Sequence, residues 1–304
     1  MLISIIIPVL NQVKYLEEAI VSVLEQDYTP KELIIIDGGS TDGTVDIIKK
    51  YQSEINYWIS EADQGQSDAI QKGMAKAKGE IVNWLNADDY LLPNAFSKLA
   101  IQFADPSIQV VCAKVKRKNE GSVFDQELSQ TILKKKAEQT LVWTSIGQPG
   151  HFYRREVWNK LQGLNRAFHF SMDKELWCRY LVSSGQGNVR MLDQAVAVFR
   201  LHSNSKTANA TNGFWAEDQL ICEMIRSANS SKVNMDLVKA YEKGKNALTN
   251  YERGEYSIAR QQLWMAIKAK AWDGPGFLFC YFKVLFLPTF VLNFLRSSPP
   301  KISN

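Results

Sequence analysis

The chain has 304 residues, 45% hydrophobic, 11% aromatic and 22% charged, which is enough apolar material for a full catalytic domain with an appendage and excludes a largely disordered protein. Its net charge of +4 is unevenly placed: from Arg226 onward twelve Lys and Arg stand against five Asp and Glu, whereas the residues before it hold 24 against 27. A basic tail behind a mildly acidic body points to a membrane surface as partner and away from nucleic acid, for which basic residues would be interleaved with aromatics in a compact patch.

Cys112, Cys178, Cys222 and Cys280 lie far apart with no C-x-x-C pair, so neither a disulfide framework nor a zinc site is expected. "MLISIIIPVLNQ" lacks a basic leader and meets Pro8 after a short apolar run. It reads as a strand and not as a signal peptide, so the body is expected in the cytoplasm, and the basic tail suggests the inner face of the cell membrane.

In chain order, "LISIIIPV" is continuous, apolar and β-branched, as a parallel strand buried on both faces requires. Asn11 is a candidate cap for a helix over "VKYLEEAIVSVLEQ", whose Leu16, Ala19, Ile20, Val23 and Leu24 share a face. "ELIIID" is a second buried strand, stopped by the turn residues of "GGSTDGT" ahead of a helix carrying Val45, Ile47, Ile48 and Tyr51. "NYWIS" reads as strand three, "QSDAIQKGMAKAK" as a helix and "EIVNWL" as strand four. This alternation predicts right-handed βαβ units in a mostly parallel sheet, with ligands beyond the carboxyl ends of the strands. Pro8 to Asn11, Asp37, and Asn86 to Asp89 all fall just past strand ends and are expected to meet in one crevice.

After residue 105 the pattern loosens. "IQVVCAKVKR" and "GSVFDQE" read as strands, "LSQTILKKKAEQ" as a helix, and "HFYRREVWNKLQGL" as a loop leading into a helix with a Gly stop. "SMDKELWCRYLVSSG" is a helix capped by Ser171, and strand-like "GNVRMLDQAVAVFRLH" closes the unit near 202, so the expected domain runs over 1–205. Residues 206–304 read as helical, with Gly254, Tyr256, Ala259, Leu263, Ala266 and Pro275 spaced as in half of a tetratricopeptide unit. "FLFCYFKVLFLPTFVLNFL", residues 277–295, is apolar except for Lys283, Thr289 and Asn293. As a helix it would measure ~28 Å, close to a bilayer core. With Lys283 and Pro288 inside, it is expected to span the membrane or to lie in its interface, a buried core helix pair being the alternative.

No G-x-x-x-x-G-K-[ST] or G-x-G-x-x-G cradle for phosphate is present. A nucleotide site in this chain would handle diphosphate through a metal held by carboxylates, with Mg²⁺ or Mn²⁺ suited to oxygen ligands. "ISIIIPVLNQ", "ELIIIDGGSTDGT", "SEADQGQSDAIQKGMAKAKGE" and "NWLNADDYLLP", in this order and spacing, resemble the family 2 glycosyltransferases over residues 2 to about 202. The resemblance implies an α/β fold of GT-A type, a mostly parallel sheet flanked by helices, followed here by the helical C-terminal region. It implies an inverting, metal-dependent transfer of a sugar from a nucleotide-diphospho-sugar, a UDP-sugar first, to a hydroxyl of a glycan or lipid-linked acceptor.

Carried over by position, the resemblance assigns Asp37 to the nucleobase and Pro8, Leu10 and Asn11 to the loop lining base and ribose. "NADD" matches the family's D-x-D segment, with Asp88 at the metal-binding acid, Asn86 in place of the first acid, Ala87 between them, and Asp89 fixing the loop. Asp173 in "HFSMDKELW" aligns with the general base, which must reach the acceptor hydroxyl opposite the leaving diphosphate. "FRLHSNSKT" supplies His202 and Lys206 for ligand, metal or phosphate contacts. Asp68 is a further donor-side candidate beside Asp63 and Gly65, and Trp177 and His151, the latter in the loop Gln148 to Arg155, are acceptor-side candidates. Two other classes stay open: a nucleotidyltransferase of related architecture, although "PVLNQVKYL" is not its phosphate loop, and a non-catalytic nucleotide-sugar-binding or membrane scaffold protein, which the missing first acid would suit.

Overall fold

Runs rich in Ile, Val and Leu become the central strands here, and the polar Ser4 and Asn83 are taken into them beside hydrogen-bond partners, Glu32 and the Pro149 carbonyl. The computed structural model describes residues 1–121, 126–127, 131–209, 211–269 and 271. It divides into two compact units, one of residues 1–133 and 144–225, the other of residues 134–143 and 226–304.

The first unit opens with β1 (Ile3–Val9), buried along its whole length, then α1 (Leu16–Leu24), β2 (Lys31–Asp37), α2 (Thr44–Lys50), β3 (Tyr57–Ser60), α3 (Gln66–Lys76) and β4 (Ile81–Trp84). These four strands pair in parallel in the order β3-β2-β1-β4, and Val9 lies opposite Asp37 at the carboxyl edge. Then come β5 (Tyr90–Leu91), α4 (Ala95–Phe103), β6 (Val110–Asn119), β7 (Gln126–Glu127), β8 (His151–Arg154), α6 (Arg155–Lys160), α7 (Met172–Ser184), β9 (Val189–Leu201), α8 (Lys206–Asn209) and α9 (Thr211–Ser227); α5 (Ala137–Val142) belongs to the other unit. The sheet continues from β4 through β8, β6 and β9 to β5, with β7 on β6, and only β6 with β9 is parallel in that half.

Three elements depart from the sequence reading. His151–Arg154, expected as a loop, is a central strand between β4 and β6, because Phe152 and Tyr153 bury well there although the run is too short to announce itself. The helix expected over 128–139 is shorter: among the described residues it begins at Ala137, and Thr140 draws the preceding chain into a turn by accepting the Lys134 N–H at 2.9 Å. Asn11 does not cap α1. It sits at φ 52°, donates its N–H to Ser40 Oγ at 2.7 Å and accepts the Thr41 N–H at 2.9 Å, tying the loop after β1 to the loop after β2.

Helix α3 approaches the sheet closely because residue 73 has no side chain: a Cβ there would lie 2.4 Å from Ile6 Cγ2 and 3.2 Å from Ile36 Cγ1. Gly73→Val is expected to overpack this contact at a cost of about 3 kcal/mol, lowering Tm by roughly 6–12 °C. Gly187→Ala, where a Cβ would meet nothing within 4 Å, is the control and should leave the melting curve unchanged.

The second unit contains α5, α10 (Met235–Arg253) and α11 (Tyr256–Lys268). Asn234 caps α10 by accepting the N–H groups of Asp236 and Leu237, both at 3.1 Å, and Gly254 ends it at φ 85°, where a side chain would be strained. The hairpin core holds Ala247, Ala259 and Leu263, and Tyr256 and Ala266 are also buried, as their spacing requires. Pro275 and the apolar segment 277–295 lie outside the described residues. Among those described, no helix is long and apolar enough to cross a membrane.

Candidate active site

A cavity of about 700 Å³ lies in the first unit at the carboxyl edge of its parallel strands, a size suited to a small ligand. Pro8 and Leu10 from the end of β1 and Asn86, Ala87 and Asp88 from the end of β4 line it, as expected, and so do Lys206 and Asp173. Chain segments far apart in sequence thus meet because β1 and β4 are adjacent and α7 to α8 return across the same edge.

The segment after β4 is held by side chains on both of its flanks. Asp88 Oδ2 lies 3.0 Å from His202 Nε2, and the His202 ring packs on Tyr15 at 4.8 Å. Asp89 is fully buried; it accepts the Arg200 N–H at 3.0 Å and the Asn86 amide at 3.2 Å. Desolvation, with the Asp88 charge beside it, pushes the Asp89 carboxyl well above the usual range. Asn86 in turn accepts from Gln66 Nε2 at 2.8 Å, and Gln66 Oε1 accepts from the Lys206 ammonium at 2.8 Å. The result is a relay from Lys206 through Gln66 and Asn86 to Asp89. Removal of water at the cavity wall lowers the Lys206 pKa below its ordinary value, a change that Glu217 and Asp88 oppose.

Asp173 stands in the first turn of α7 and accepts the Lys174 N–H at 2.8 Å. Desolvation raises its pKa above that of an ordinary Asp; the backbone N–H groups of Lys174 and Asp173 and the Lys174 charge work against this, and Asp218 adds to it. Phe170, Met172 and Phe214 give this end of the cavity apolar walls, which accounts for the lost hydration.

Five of the sequence-derived site residues stand elsewhere than expected. Asp37 is wholly buried, and its carboxylate is taken up by its own turn: it accepts from the N–H groups of Gly39 at 3.1 Å and Ser40 at 3.0 Å, and from the hydroxyls of Ser40 and Ser60. It shapes the loop and does not line the cavity. Asp68 likewise turns away, paired with Arg166 at 3.0 Å and Lys72 at 3.4 Å. Trp177 is 0% exposed and stacks on Tyr180 at 5.5 Å, so it offers no face to a sugar. His151 is buried edge-on against Trp177 at 5.2 Å between Thr131 and Tyr153, and desolvation brings its pKa down to about 3, so it is a neutral core residue. Asn11 lines an adjoining pocket of about 230 Å³, together with His202, and not the main cavity.

Asp63, Gln66, Phe170 and Phe214 line the cavity without having been assigned a role from sequence beyond Asp63 as part of a wall. Asp63 accepts the Gly65 N–H through Oδ1 at 2.8 Å, while its Oδ2 lies only 2.7 Å from where a Cβ on Gly38 would be. The signal for Asp63 was its place in "EADQGQ", just past β3; which of several loop acids keeps a free oxygen is set by the turn geometry.

Residues 4–176 match the model of the family described as Glycosyl transferase family 2. This chain belongs to that family and is a glycosyltransferase. The enzyme is 26% identical over 292 residues to an uncharacterized glycosyltransferase of Nostoc sp., an alignment covering 87% of this chain and 86% of that one. It is 28% identical over 133 residues to the poly(ribitol-phosphate) beta-N-acetylglucosaminyltransferase TarS of Staphylococcus aureus, which covers 42% of this chain and 23% of TarS. In fold it resembles the crystal structure of a TarS fragment in complex with UDP-GlcNAc, with a TM-score of 0.62 at 20% identity, over 88% of this chain and 81% of that one. The mannosyltransferase PcManGT from Pyrobaculum calidifontis, in complex with GDP-Man and Mn²⁺, aligns with a TM-score of 0.56 at 17% identity over 97% of this chain and 88% of that one. The glycosyltransferase therefore has the GT-A fold, as its sequence resemblance implied.

Proposed function

We propose that this glycosyltransferase transfers a sugar, with inversion, from a nucleotide-diphospho-sugar to a hydroxyl of a glycan or lipid-linked acceptor, and that the donor is a UDP-sugar. The observation that carries the reading is the placement of one poorly hydrated carboxylate, Asp173, in the same cavity as Asp88 and Lys206. A base and an anion-binding edge lining one cavity suit displacement at an anomeric carbon. Asp173 takes the acceptor proton as the hydroxyl oxygen attacks; the bond to the β-phosphate oxygen breaks and the nucleoside diphosphate leaves toward Asp88, His202 and Lys206. Gln66 and Asn86 hold the Lys206 ammonium and the strand end in register. Asp63, with an oxygen left over at the cavity wall, is the carboxylate offered to an N–H of the base, the role that the buried Asp37 does not take.

Among the described residues no three His, Cys, Asp or Glu side chains are gathered to hold a metal by themselves. Asp88 and His202 nevertheless suit a shared cation. Asp88 Oδ2 and His202 Nε2, 3.0 Å apart, are the protein atoms that would hold it, and diphosphate oxygens and water would supply the remaining oxygen ligands. When bound, Mg²⁺ or Mn²⁺ would neutralise charge developing on the departing diphosphate. The basic excess after Arg226 and the apolar sequence 277–295 support action at the cytoplasmic face of a membrane, where a lipid-linked acceptor is reached.

A thermal-shift panel of UDP-GlcNAc, UDP-glucose, UDP-galactose and GDP-mannose, each with and without Mn²⁺, tests the donor assignment. A matched donor at a hundred times its Kd contributes about 2.7 kcal/mol, a rise of roughly 5–10 °C. Stabilisation by GDP-mannose alone would overturn the UDP assignment, and silence from all four at millimolar concentration would overturn the nucleotide-sugar reading.

A further inference from the structure

Helix α7 begins without a side-chain cap of its own. Ser171 occupies the N-cap position, but its hydroxyl accepts no helical N–H and lies 3.5 Å from Asp218 Oδ1. The backbone N–H groups just ahead of the helix converge instead on one distant carboxylate. Glu217 accepts from His169 at 2.6 Å through Oε1, and from Phe170 at 2.9 Å and Ser171 at 2.6 Å through Oε2. Glu217 is buried on α9, outside the residues 4–176 that the family model matches.

The neighbours of Glu217 extend the grip. Asp218 pairs with the Lys174 ammonium at 2.7 Å, immediately after Asp173 in the chain. Lys206 on α8 donates to the His169 carbonyl at 3.1 Å. The α9 backbone presses close: a Cβ on Gly213 would lie 2.5 Å from the Phe170 ring, and Phe214 packs on Phe170 at 5.5 Å between centroids. Residues 169 to 174, which bracket Asp173, are therefore held on their N–H, carbonyl and side-chain groups by the segment that follows Leu201. Three charge-assisted bonds to successive N–H groups fix a backbone far more tightly than a neutral cap, because a buried carboxylate that lost them would be left without compensation.

We infer that Glu217 is a positioning residue: by gathering the N–H groups of His169, Phe170 and Ser171 it sets the point in the cavity from which Asp173 receives the acceptor proton. The inference rests on the reading of Asp173 as the base. Glu217 itself touches no reacting atom. Lys174 and Asp218 bear directly on the Asp173 carboxyl, whereas Glu217 reaches it through the backbone it holds; the Glu217 charge also supports the Lys206 ammonium.

The test is Glu217→Gln, which preserves shape but turns an amide NH₂ toward an N–H donor. Steady-state release of UDP is measured with UDP-GlcNAc, or with whichever donor of the panel stabilises the enzyme most. The expected result is a kcat lower by about 10- to 100-fold, with a smaller change, within about threefold, in KM for the donor and in the donor-induced thermal shift, since Asp88 and His202 are untouched and Lys206 loses only a through-space charge. Glu217→Asp, which keeps the charge but is shorter, should lose kcat to a smaller degree and carries the test if the Gln variant does not fold. A wild-type kcat in the folded variants, or a raised KM with kcat unchanged, overturns the inference. Asp173→Asn run beside them separates the two readings: wild-type turnover in that variant removes the base assignment, whereas an inactive Asp173→Asn beside fully active Glu217 variants removes the positioning role alone.

Discussion

Asp173→Asn is expected to reduce turnover about a thousandfold while leaving donor-induced stabilisation intact. The amide fills the same space in the first turn of α7 but cannot take a proton, and the groups assigned to the donor lie on other elements. The pH profile follows from the same environment. Desolvation raises the Asp173 pKa, so the ionised base is present above that raised value and is lost as pH falls through it; the acid limb of kcat should lie above the ~3.9 of an ordinary Asp. Stability responds with the opposite sense. The unfolded chain ionises this carboxyl at lower pH than the folded enzyme, so folding is penalised above that range, and Asn removes the penalty. Thermal melts should show the variant at least as stable as wild type at pH 8 and the difference gone at pH 4. Turnover equal to wild type would rule out Asp173 as the base.

Asp88→Ala is the second large effect. It removes the one carboxylate of the strand end that faces the cavity and deprives His202 Nε2 of its partner at 3.0 Å. We expect kcat/KM to fall by ~10²–10³ and the Mn²⁺-dependent part of the donor-induced thermal shift to vanish. Lys206 remains to hold the diphosphate, so a small shift without metal should survive. If Asp88→Ala keeps the full Mn²⁺ dependence, the cation is held elsewhere and the pairing of Asp88 with His202 is only structural.

The parallel half of the sheet was legible because β1, β2 and β4 are short runs rich in Ile, Val and Leu, and topology brought Pro8, Leu10 and Asn86 to Asp88 to one cavity, though not Asn11 or Asp37. Strand β8 was not, since four residues ending in arginine carry no period. Trp177 misled for a definable reason. Helix α7 buries Met172, Glu175, Leu176, Trp177, Cys178, Tyr180 and Leu181, so nearly its whole circumference is core and helical phase cannot single out a cavity face. Glu175 stays inside because Arg179 pairs with it at 2.6 Å. The division of the chain at 205 missed α8 and α9 as part of the first unit, which runs to Ile225. Their attachment depends on Glu217 reaching backbone groups more than forty residues upstream, and amide N–H groups leave no trace in a sequence.

The close approach of Asp63 to Gly38 has an evolutionary reading. A side chain at 38 and the carboxylate of 63 compete for one volume, since a Cβ on Gly38 would sit 2.7 Å from Asp63 Oδ2. A side chain at 38 would push the Asp63 carboxylate aside, so the position of the negative charge at that corner of the cavity depends on both loops. Relatives that carry a larger residue at the position of Gly38 should therefore have moved or surrendered the acid at the position of Asp63, so the loop that bears the charge becomes a lineage marker written in two residues.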